Sequence, residues 1–282
     1  MLASIATEPV GPGLANEDFA AVTGDTAVLL DGAGIPPGSA SGCIHGVAWY
    51  ARALGGRLLA EAAPGAAKPL PRALADAITQ VRSEHEHTCD LAHGGSPSAT
   101  VIAARVSGQR LEYLVLADSV LVLDTGAAEP QIVTDERLER AATQHRERVN
   151  ALAIGSAEHD TARREYVETV WATYRNREGG FWVASADPGA AHHALTGDVP
   201  LAELRSFALL SDGATRLADR FRLLTWPQLA GILRDDGPRE LIRRTRTAET
   251  SDPHGHRWPR TKAYDDATAV YCQLQDSSPA PR

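Results

Sequence analysis

The sequence predicts one α+β domain in which sheets and helices form layers. Strands and helices come in blocks rather than in strict alternation, as in this fold class. Apolar runs at residues 99–106, 111–116 and 120–123 are separated only by short turns at 107–109 and 117–119. Parallel strands need a crossover of about a dozen residues or more, so these strands are predicted to pair antiparallel.

Length and composition allow a large core. The chain has 282 residues, is 43% hydrophobic and carries a formal net charge of -8. We expect one domain over residues 1–276, followed by a disordered tail at residues 277–282, because no stretch reads as a linker. The acidic balance argues against a general nucleic-acid binder, and we expect no nucleic-acid partner.

The cysteines and the N-terminus favour a reducing, intracellular location. Cys43, Cys89 and Cys272 are far apart, are too few for a disulfide framework and show no zinc-site spacing. Residues 1–10 lack the basic start and apolar run of a secretory signal. No apolar stretch approaches the ~18 residues of a membrane span. The expected location is therefore the cytoplasm, with no membrane partner.

The first half of the chain is predicted to begin with a hairpin. Residues 19–30 contain apolar positions on both sides of a turn at Thr23-Gly24-Asp25. A helical period of apolar residues follows over 42–63, and a second one over 71–87. The histidines His85, His87 and His93 are interpreted as a solvated helix end rather than a metal cluster.

The second half mixes helices with isolated strands. Predicted helices cover residues 135–149, 160–178, 226–233 and 238–247. Predicted strands cover residues 131–134, 181–183, 190–196, 206–210 and 267–274. The polar segment 251–262 is predicted to be a mobile loop.

Four acidic stretches lie beside apolar runs and carry the main functional hypothesis. They are Asn16-Glu17-Asp18, Asp31-Gly32, Ser211-Asp212-Gly213 and Asp265-Asp266. A carboxylate at a strand end is held by rigid backbone yet reaches solvent, and the adjacent glycine allows close backbone approach. Gathered carboxylates repel one another unless a cation neutralises them, and such hard oxygen ligands suit magnesium or manganese. Ordinary turn aspartates are the alternative interpretation of Asp31, Asp212 and Asp265, and a surface residue before a strand is the alternative for Glu17.

The order of these motifs resembles the metal-dependent type 2C serine/threonine phosphatases, with features of a divergent bacterial member. Besides the four acidic stretches, Gly95-Ser96 to Thr100 and Ala117-Asp118-Ser119 fall in the family order, so the resemblance spans nearly the whole chain. It implies a four-layer α-β-β-α sandwich, with two antiparallel sheets flanked by helices. It also implies phosphoserine or phosphothreonine hydrolysis in proteins by a water that two Mn2+ or Mg2+ ions activate, with no catalytic side chain.

The resemblance implies a role for each acidic residue. Asp31 resembles the aspartate that bridges the two ions, and Glu17 with the carbonyl of Gly32 resembles the ligands of the second ion. Asp212 and Asp265 resemble the remaining ligands of the first ion. Asp18 resembles the supporting acid beside Glu17. Asp118 resembles the aspartate that, together with Asp212, binds a weaker third ion.

Three positions depart from the family pattern. Gly13 stands where many members have the arginine that binds substrate phosphate, and Ala33 stands where some have a proposed general-acid histidine. Ala117 replaces the usual glycine before Asp118. Phosphate recognition is therefore not explained by the sequence. Arg216, Arg220 and Arg222 are interpreted as solvated, with replacement of the missing arginine by one of them left open.

Two functions remain open at this stage. The first is a metal-dependent phosphatase acting on phosphorylated proteins, with a small phosphorylated metabolite as a variant substrate. The second is a catalytically weak or silent domain that binds a phosphorylated partner or regulator. Retention of the implied metal ligands favours the first, whereas Gly13 and Ala33 keep the second open.

Overall fold

Ten strands form two antiparallel sheets in the computed structural model, which describes residues 1–34, 41–63 and 68–274. In chain order the strands are β1 (Leu2–Glu8), β2 (Phe19–Val22), β3 (Thr26–Ala33), β4 (Ser98–Ser107), β5 (Arg110–Leu116), β6 (Val120–Asp124), β7 (Gln131–Val133), β8 (Leu195–Pro200), β9 (Ser206–Leu210) and β10 (Ala267–Gln273). One sheet has the order β1-β10-β9-β6-β7 and the other β2-β3-β4-β5-β8. The antiparallel pairing predicted from the short turns is confirmed.

Seven α-helices accompany the sheets in the described part of the chain. They are α1 (Val47–Glu61), α2 (Leu70–His85), α3 (Arg137–Asn150), α4 (Ala157–Tyr174), α5 (Asp212–Asp219), α6 (Trp226–Asp235) and α7 (Pro238–Ser251). Two short 3-10 helices cover Pro188–His193 and Leu201–Glu203.

The central apolar layer lies between the two sheets. Leu29 and Ile102 from one sheet pack against Leu209 and Val270 from the other, and all four are fully buried. Side chains alternate between the two faces of a strand, so the next residues along each strand point outward to the helices. One face of β3 packs on the other sheet and the opposite face packs on helices, so β3 is apolar on both faces.

The outer apolar layers complete four layers in all. Val28 and Leu30 of β3 belong to a core shared with α1 and α2, whereas Ala208 and Leu210 of β9 belong to a core shared with α5, α6 and α7. The predicted α-β-β-α arrangement is confirmed. The prediction of one domain over residues 1–276 stays a prediction, and the predicted tail at 277–282 lies outside the described residues.

Two predicted strands in the second half are wrong. Residues 181–183 make only an isolated bridge, and Phe181 is instead buried against α3 and α4. Residues 190–196 begin within a 3-10 helix, because Pro188 and the Asp187 cap, whose side chain accepts from the Gly189 N–H, start a turn there. Strand β8 therefore begins only at Leu195.

Two elements were not predicted. Strand β1 is a half-exposed edge strand paired with β10 at the far end of the chain, and its residues show no regular apolar alternation. Helix α5 begins at Asp212 and spans eight residues. Its short length leaves little periodicity to detect, yet it proves important for the acidic site.

Candidate metal centre

Three of the proposed aspartates lie at strand ends of two facing sheets. Asp31 lies near the end of β3, Asp212 begins α5 directly after β9, and Asp265 lies just before β10. Strands β9 and β10 are neighbours, with Leu210 paired to Ala269, so Asp212 and Asp265 enter the site side by side. The two sheets therefore bring residues more than two hundred positions apart to one end of the sandwich.

The glycines of both Asp-Gly pairs allow the backbones to meet. A Cβ atom at Gly32 would overlap with the carbonyl oxygen of Glu17, and one at Gly213 would overlap with the carbonyl oxygen of Asp266. The Gly32 N–H donates to that same Glu17 oxygen at 3.2 Å. The acidic stretches are thus held in backbone contact, and only glycine fits at these two points.

Asp266 organises the segment that carries Glu17, a role that sequence reasoning missed. Its two carboxylate oxygens accept hydrogen bonds from the Val10 N–H at 2.6 Å and from the Glu17 N–H at 2.9 Å. A charged acceptor strengthens both bonds. Asp265 and Asp266 thus have different roles. Asp265 faces the acidic cluster, whereas Asp266 fixes the segment that carries Glu17.

Electrostatic coupling shows that the carboxylates form one cluster. Burial, followed by the charges of Asp18, Asp212 and Asp265, raises the pKa of Asp31 well above its ordinary value. Burial also raises the pKa of Glu17, helped by Asp266 and Asp265. Like charges disfavour the ionised form, so the carboxylates of Asp18, Asp31, Asp212 and Asp265 act on one another as a single group.

Asp18 supplies the clearest test of whether a cation fits. The residue is 6% exposed, and neither carboxylate oxygen has a hydrogen-bond partner among the described residues. Burial above all raises its pKa to about 8, and the nearby hydroxyls of Thr268 and Ser211, which do not reach hydrogen-bond geometry, offset only part of this rise. A buried carboxylate without a partner is costly. The donor set is therefore one that a hard divalent cation with its bound waters satisfies.

Asp265 is the one carboxylate of the cluster with strong protein counter-charges. Its Oδ1 accepts from Lys262 Nζ at 2.8 Å and its Oδ2 from Arg216 Nη2 at 3.1 Å. Burial would raise the pKa of Asp265, but Lys262 and Arg216 outweigh it and lower that pKa. The charge of this side chain is thereby maintained.

The sequence interpretation of Arg216 as solvated is wrong. Arg216 is 5% exposed, and its guanidinium also donates to the buried carboxylate of Glu249 at 2.6 Å. Helix α5 places it facing inward, and the contacts with Glu249 and Asp265 explain its burial. Its donors are used within the protein, so it does not replace the missing phosphate-binding arginine.

Asp118 lies in the turn between β5 and β6, beside the cluster. Burial, followed by the charge of Asp212, raises its pKa to about 7. The preceding Ala117 has φ 69°, in the left-handed region that favours glycine. The chain therefore keeps the glycine-type turn in spite of the alanine, and this turn positions Asp118 next to Asp212.

The position of the missing arginine is structurally distinctive. Gly13 has φ 77°, and a Cβ atom there would find nothing within 4 Å. Space is available, but the backbone conformation is one that side chains rarely adopt. Lys262, with its side chain 41% exposed beside Asp265, is a cation of the cluster that retains access to solvent.

Comparisons with known proteins agree with this arrangement. The profile of the family Protein phosphatase 2C matches residues 10–243, so the chain belongs to that family. No curated protein matches the chain. Among solved structures, the serine/threonine phosphatase Stp1 from Staphylococcus aureus is 12% identical with a TM-score of 0.57, over 97% of this chain and 94% of that one.

Two further structures share the fold. The catalytic domain of the phosphatase PstP, in complex with two manganese ions, is 14% identical with a TM-score of 0.54, over 98% of each chain. PppA, a regulatory component of T6SS in Pseudomonas aeruginosa, is 15% identical with a TM-score of 0.57, over 96% of each chain. Within the residues that the structure describes, no helix has the length and apolar character needed to cross a membrane.

Proposed function

We propose that this chain is a metal-dependent phosphatase that hydrolyses phosphoserine and phosphothreonine in proteins. The observation that carries the proposal is the carboxylate cluster at one end of the sandwich, in which Asp31 is coupled to Asp18, Asp212 and Asp265. Such a concentration of buried and half-buried carboxylates is costly to the fold unless it binds cations. Retention of this carboxylate cluster supports catalysis over the alternative of a silent binding domain.

In this proposal two Mn2+ or Mg2+ ions are held by the side chains of Glu17, Asp31, Asp212 and Asp265 and by the carbonyl of Gly32. Asp18 supports these ligands, and Asp118 binds a weaker third ion. When bound, the ions lower the pKa of a shared water and neutralise the phosphoryl oxygens. The protein's own contribution is to fix the carboxylates before the substrate arrives. The two glycine contacts and the Asp266 hydrogen bonds support that contribution.

We assign phosphate binding to Lys262. Its Nζ lies 2.8 Å from Asp265 Oδ1, and the charges of Asp265, Asp212 and Asp31 raise its pKa even though burial opposes the shift. The ammonium group is therefore charged at neutral pH and lies against the cluster. The flexible lysine stem would let the ammonium group turn from Asp265 to a substrate phosphate. A lysine ammonium group holds phosphate less rigidly than the two parallel hydrogen bonds of an arginine guanidinium. We therefore expect weak binding of the substrate in its ground state.

A phosphatase assay with a matched control tests the proposal. Metal-stripped protein should be inactive towards an aryl phosphate and a phosphothreonine peptide, and manganese should restore both activities. Asp31→Asn should remain inactive with manganese. Asp160→Asn, the same change at an exposed site on α4, should behave like the unmodified protein. Activity that persists in excess chelator would contradict the metal mechanism, and binding of the phosphopeptide without turnover would favour the silent domain.

A further inference from the structure

A second cluster of metal-binding side chains lies at the start of α1. Cys43 and His45 precede that helix, His85 is the last residue of α2, and Cys89 follows in the next turn. One ligand atom from each residue lies within 4.8 Å of all the others. The sequence interpretation of His85 as part of a solvated helix end is wrong, because His85 is 2% exposed.

The distances within this Cys/His cluster match those of a tetrahedral site. Cys43 Sγ lies 3.4 Å from Cys89 Sγ, 3.7 Å from His85 Nδ1 and 3.8 Å from His45 Nδ1, and Cys89 Sγ lies 3.4 Å from His45 Nδ1. With zinc–sulfur distances near 2.3 Å and zinc–nitrogen distances near 2.0 Å, neighbouring ligand atoms of a tetrahedron lie roughly 3.3–3.8 Å apart. Four of the six distances among the ligand atoms therefore fall in the range of a tetrahedral zinc site, and the other two are no longer than 4.8 Å.

We propose that Cys43, His45, His85 and Cys89 bind a structural zinc ion. Two thiols and two imidazoles form a Cys₂His₂ set, whose softness favours zinc over the magnesium or manganese preferred by carboxylates. On binding, each thiol releases a proton to solvent, so the two thiolates balance the charge of Zn2+. All four protein ligands are present, which leaves no open position for a substrate.

The aromatic surroundings hold both imidazoles in place. His45 stacks on Trp49 with ring centroids 4.4 Å apart, and Trp49 also contacts His85 at 5.1 Å. Fixed ring orientation favours metal binding because less freedom is lost when the ion enters. A disulfide explains less of this arrangement, since it would leave both Nδ1 atoms directed at the sulfurs without a role. The sulfurs are also free thiols at 3.4 Å, beyond bonding distance.

The zinc ion would stabilise the entry to α1 beside the acidic centre. Helix α1 begins after Gly46 without a side-chain cap and without an acidic residue in its first turn. Its first residue, Val47, packs so closely on the loop after β3 that a Cβ atom at Gly32 or Gly34 would overlap with it. The Cys/His cluster would therefore fix the helix end that supports the Asp31-Gly32 segment.

Zinc content in matched variants tests this proposal independently of catalysis. The full chain, prepared under reducing conditions with zinc and then freed of loose metal, should retain about one zinc per chain. Cys89→Ala should reduce the content to near zero, and so should His45→Ala, which changes the most exposed of the four ligands. Cys272→Ala, the matched change at a buried cysteine of β10, should retain the zinc.

Two further readouts separate this site from the acidic centre and from a disulfide. Asp31→Asn should keep the zinc, and cobalt in place of zinc should give the thiolate charge-transfer bands of a tetrahedral site in the unmodified protein. Zinc that is lost in Asp31→Asn but kept in Cys89→Ala would overturn the proposal. It would equally be overturned if the reduced chain failed to retain zinc, or if the two cysteines joined in a disulfide that zinc did not prevent.

Discussion

The acidic centre and the Cys/His cluster differ in chemistry and in how each prepares for a metal. The acidic centre is a set of hard oxygen ligands that repel one another. Burial, followed by this repulsion, raises the pKa of Asp31 and of Asp18. Burial also opposes ionisation of Cys89, but hydrogen bonds from the Ile44 backbone, Cys43, Thr88 and His45 lower its pKa to about 7. The contrast teaches that one fold can bring together a set of mutually repelling carboxylates and, at the start of α1, a separate set of two thiols and two imidazoles.

The largest expected effect is on turnover, which should fall far more when the acidic centre is changed than when the Cys/His cluster is changed. Asp31→Asn or Asp212→Asn keeps the side-chain size but removes a charge that the ions need. Because metal ions supply several kcal/mol of transition-state stabilisation, turnover should fall by roughly 10³-fold or more. Steady-state kinetics at saturating manganese measure this. Cys89→Ala should lose far less, and an equal loss in both would remove the functional distinction.

A smaller effect is expected for Asp18, whose carboxylate has no hydrogen-bond partner among the described residues. Asp18→Asn should weaken manganese binding by about 10- to 100-fold, the usual range for groups around a metal. The same change should raise folding stability at neutral pH without metal, because Asp18, whose pKa burial raises to about 8, must take up a proton when the chain folds. Calorimetric titration and thermal unfolding measure the two effects. Unchanged manganese affinity would show that Asp18 is only a packing residue.

Lys262 and Gly13 test how the chain recognises phosphate. Lys262→Met should raise KM for a phosphopeptide about tenfold, or ~1.4 kcal/mol, with kcat less affected. Gly13→Arg should not restore tight binding, because a side chain at φ 77° costs about 1–2 kcal/mol. A native KM in the low micromolar range that survives Lys262→Met would mean that another cation binds the phosphate.

The smallest effect is expected for Asp118. Asp118→Ala should leave the two tight ions bound, since their ligands lie on other segments, and should slow turnover by about 10-fold at most. The decrease should be visible only at high metal concentration, where the weak third site fills. Loss of tight manganese binding in this variant would instead assign Asp118 to the main centre.

The grouping of the acidic residues could be predicted from the sequence because each of them follows or precedes an apolar strand. Asp31, Asp212 and Asp265 each mark a strand end, so their order along the chain was informative. Their geometry was not predictable, because it depends on two sheets packing face to face. The burial of Arg216 was missed for the same reason, since its partners Glu249 and Asp265 come from distant segments.

The Cys/His cluster escaped sequence reasoning altogether. Cys43 and Cys89 are separated by two helices, and only the packing of α1 against α2 brings them together. Known zinc spacings place cysteines or histidines a few residues apart in pairs, whereas here only the pairs Cys43–His45 and His85–Cys89 carry that signal. Each pair mixes the two ligand types, which hid the pattern.

Anomalous X-ray diffraction from crystals containing manganese and zinc tests the central claim most directly, because it locates each element by its absorption edge. We predict manganese peaks among Glu17, Asp31, Asp212 and Asp265, and one zinc peak at the centre of Cys43, His45, His85 and Cys89. Zinc confined to the carboxylates, or a Cys/His cluster without a peak, would contradict the assignment of two sites with opposite ligand chemistry.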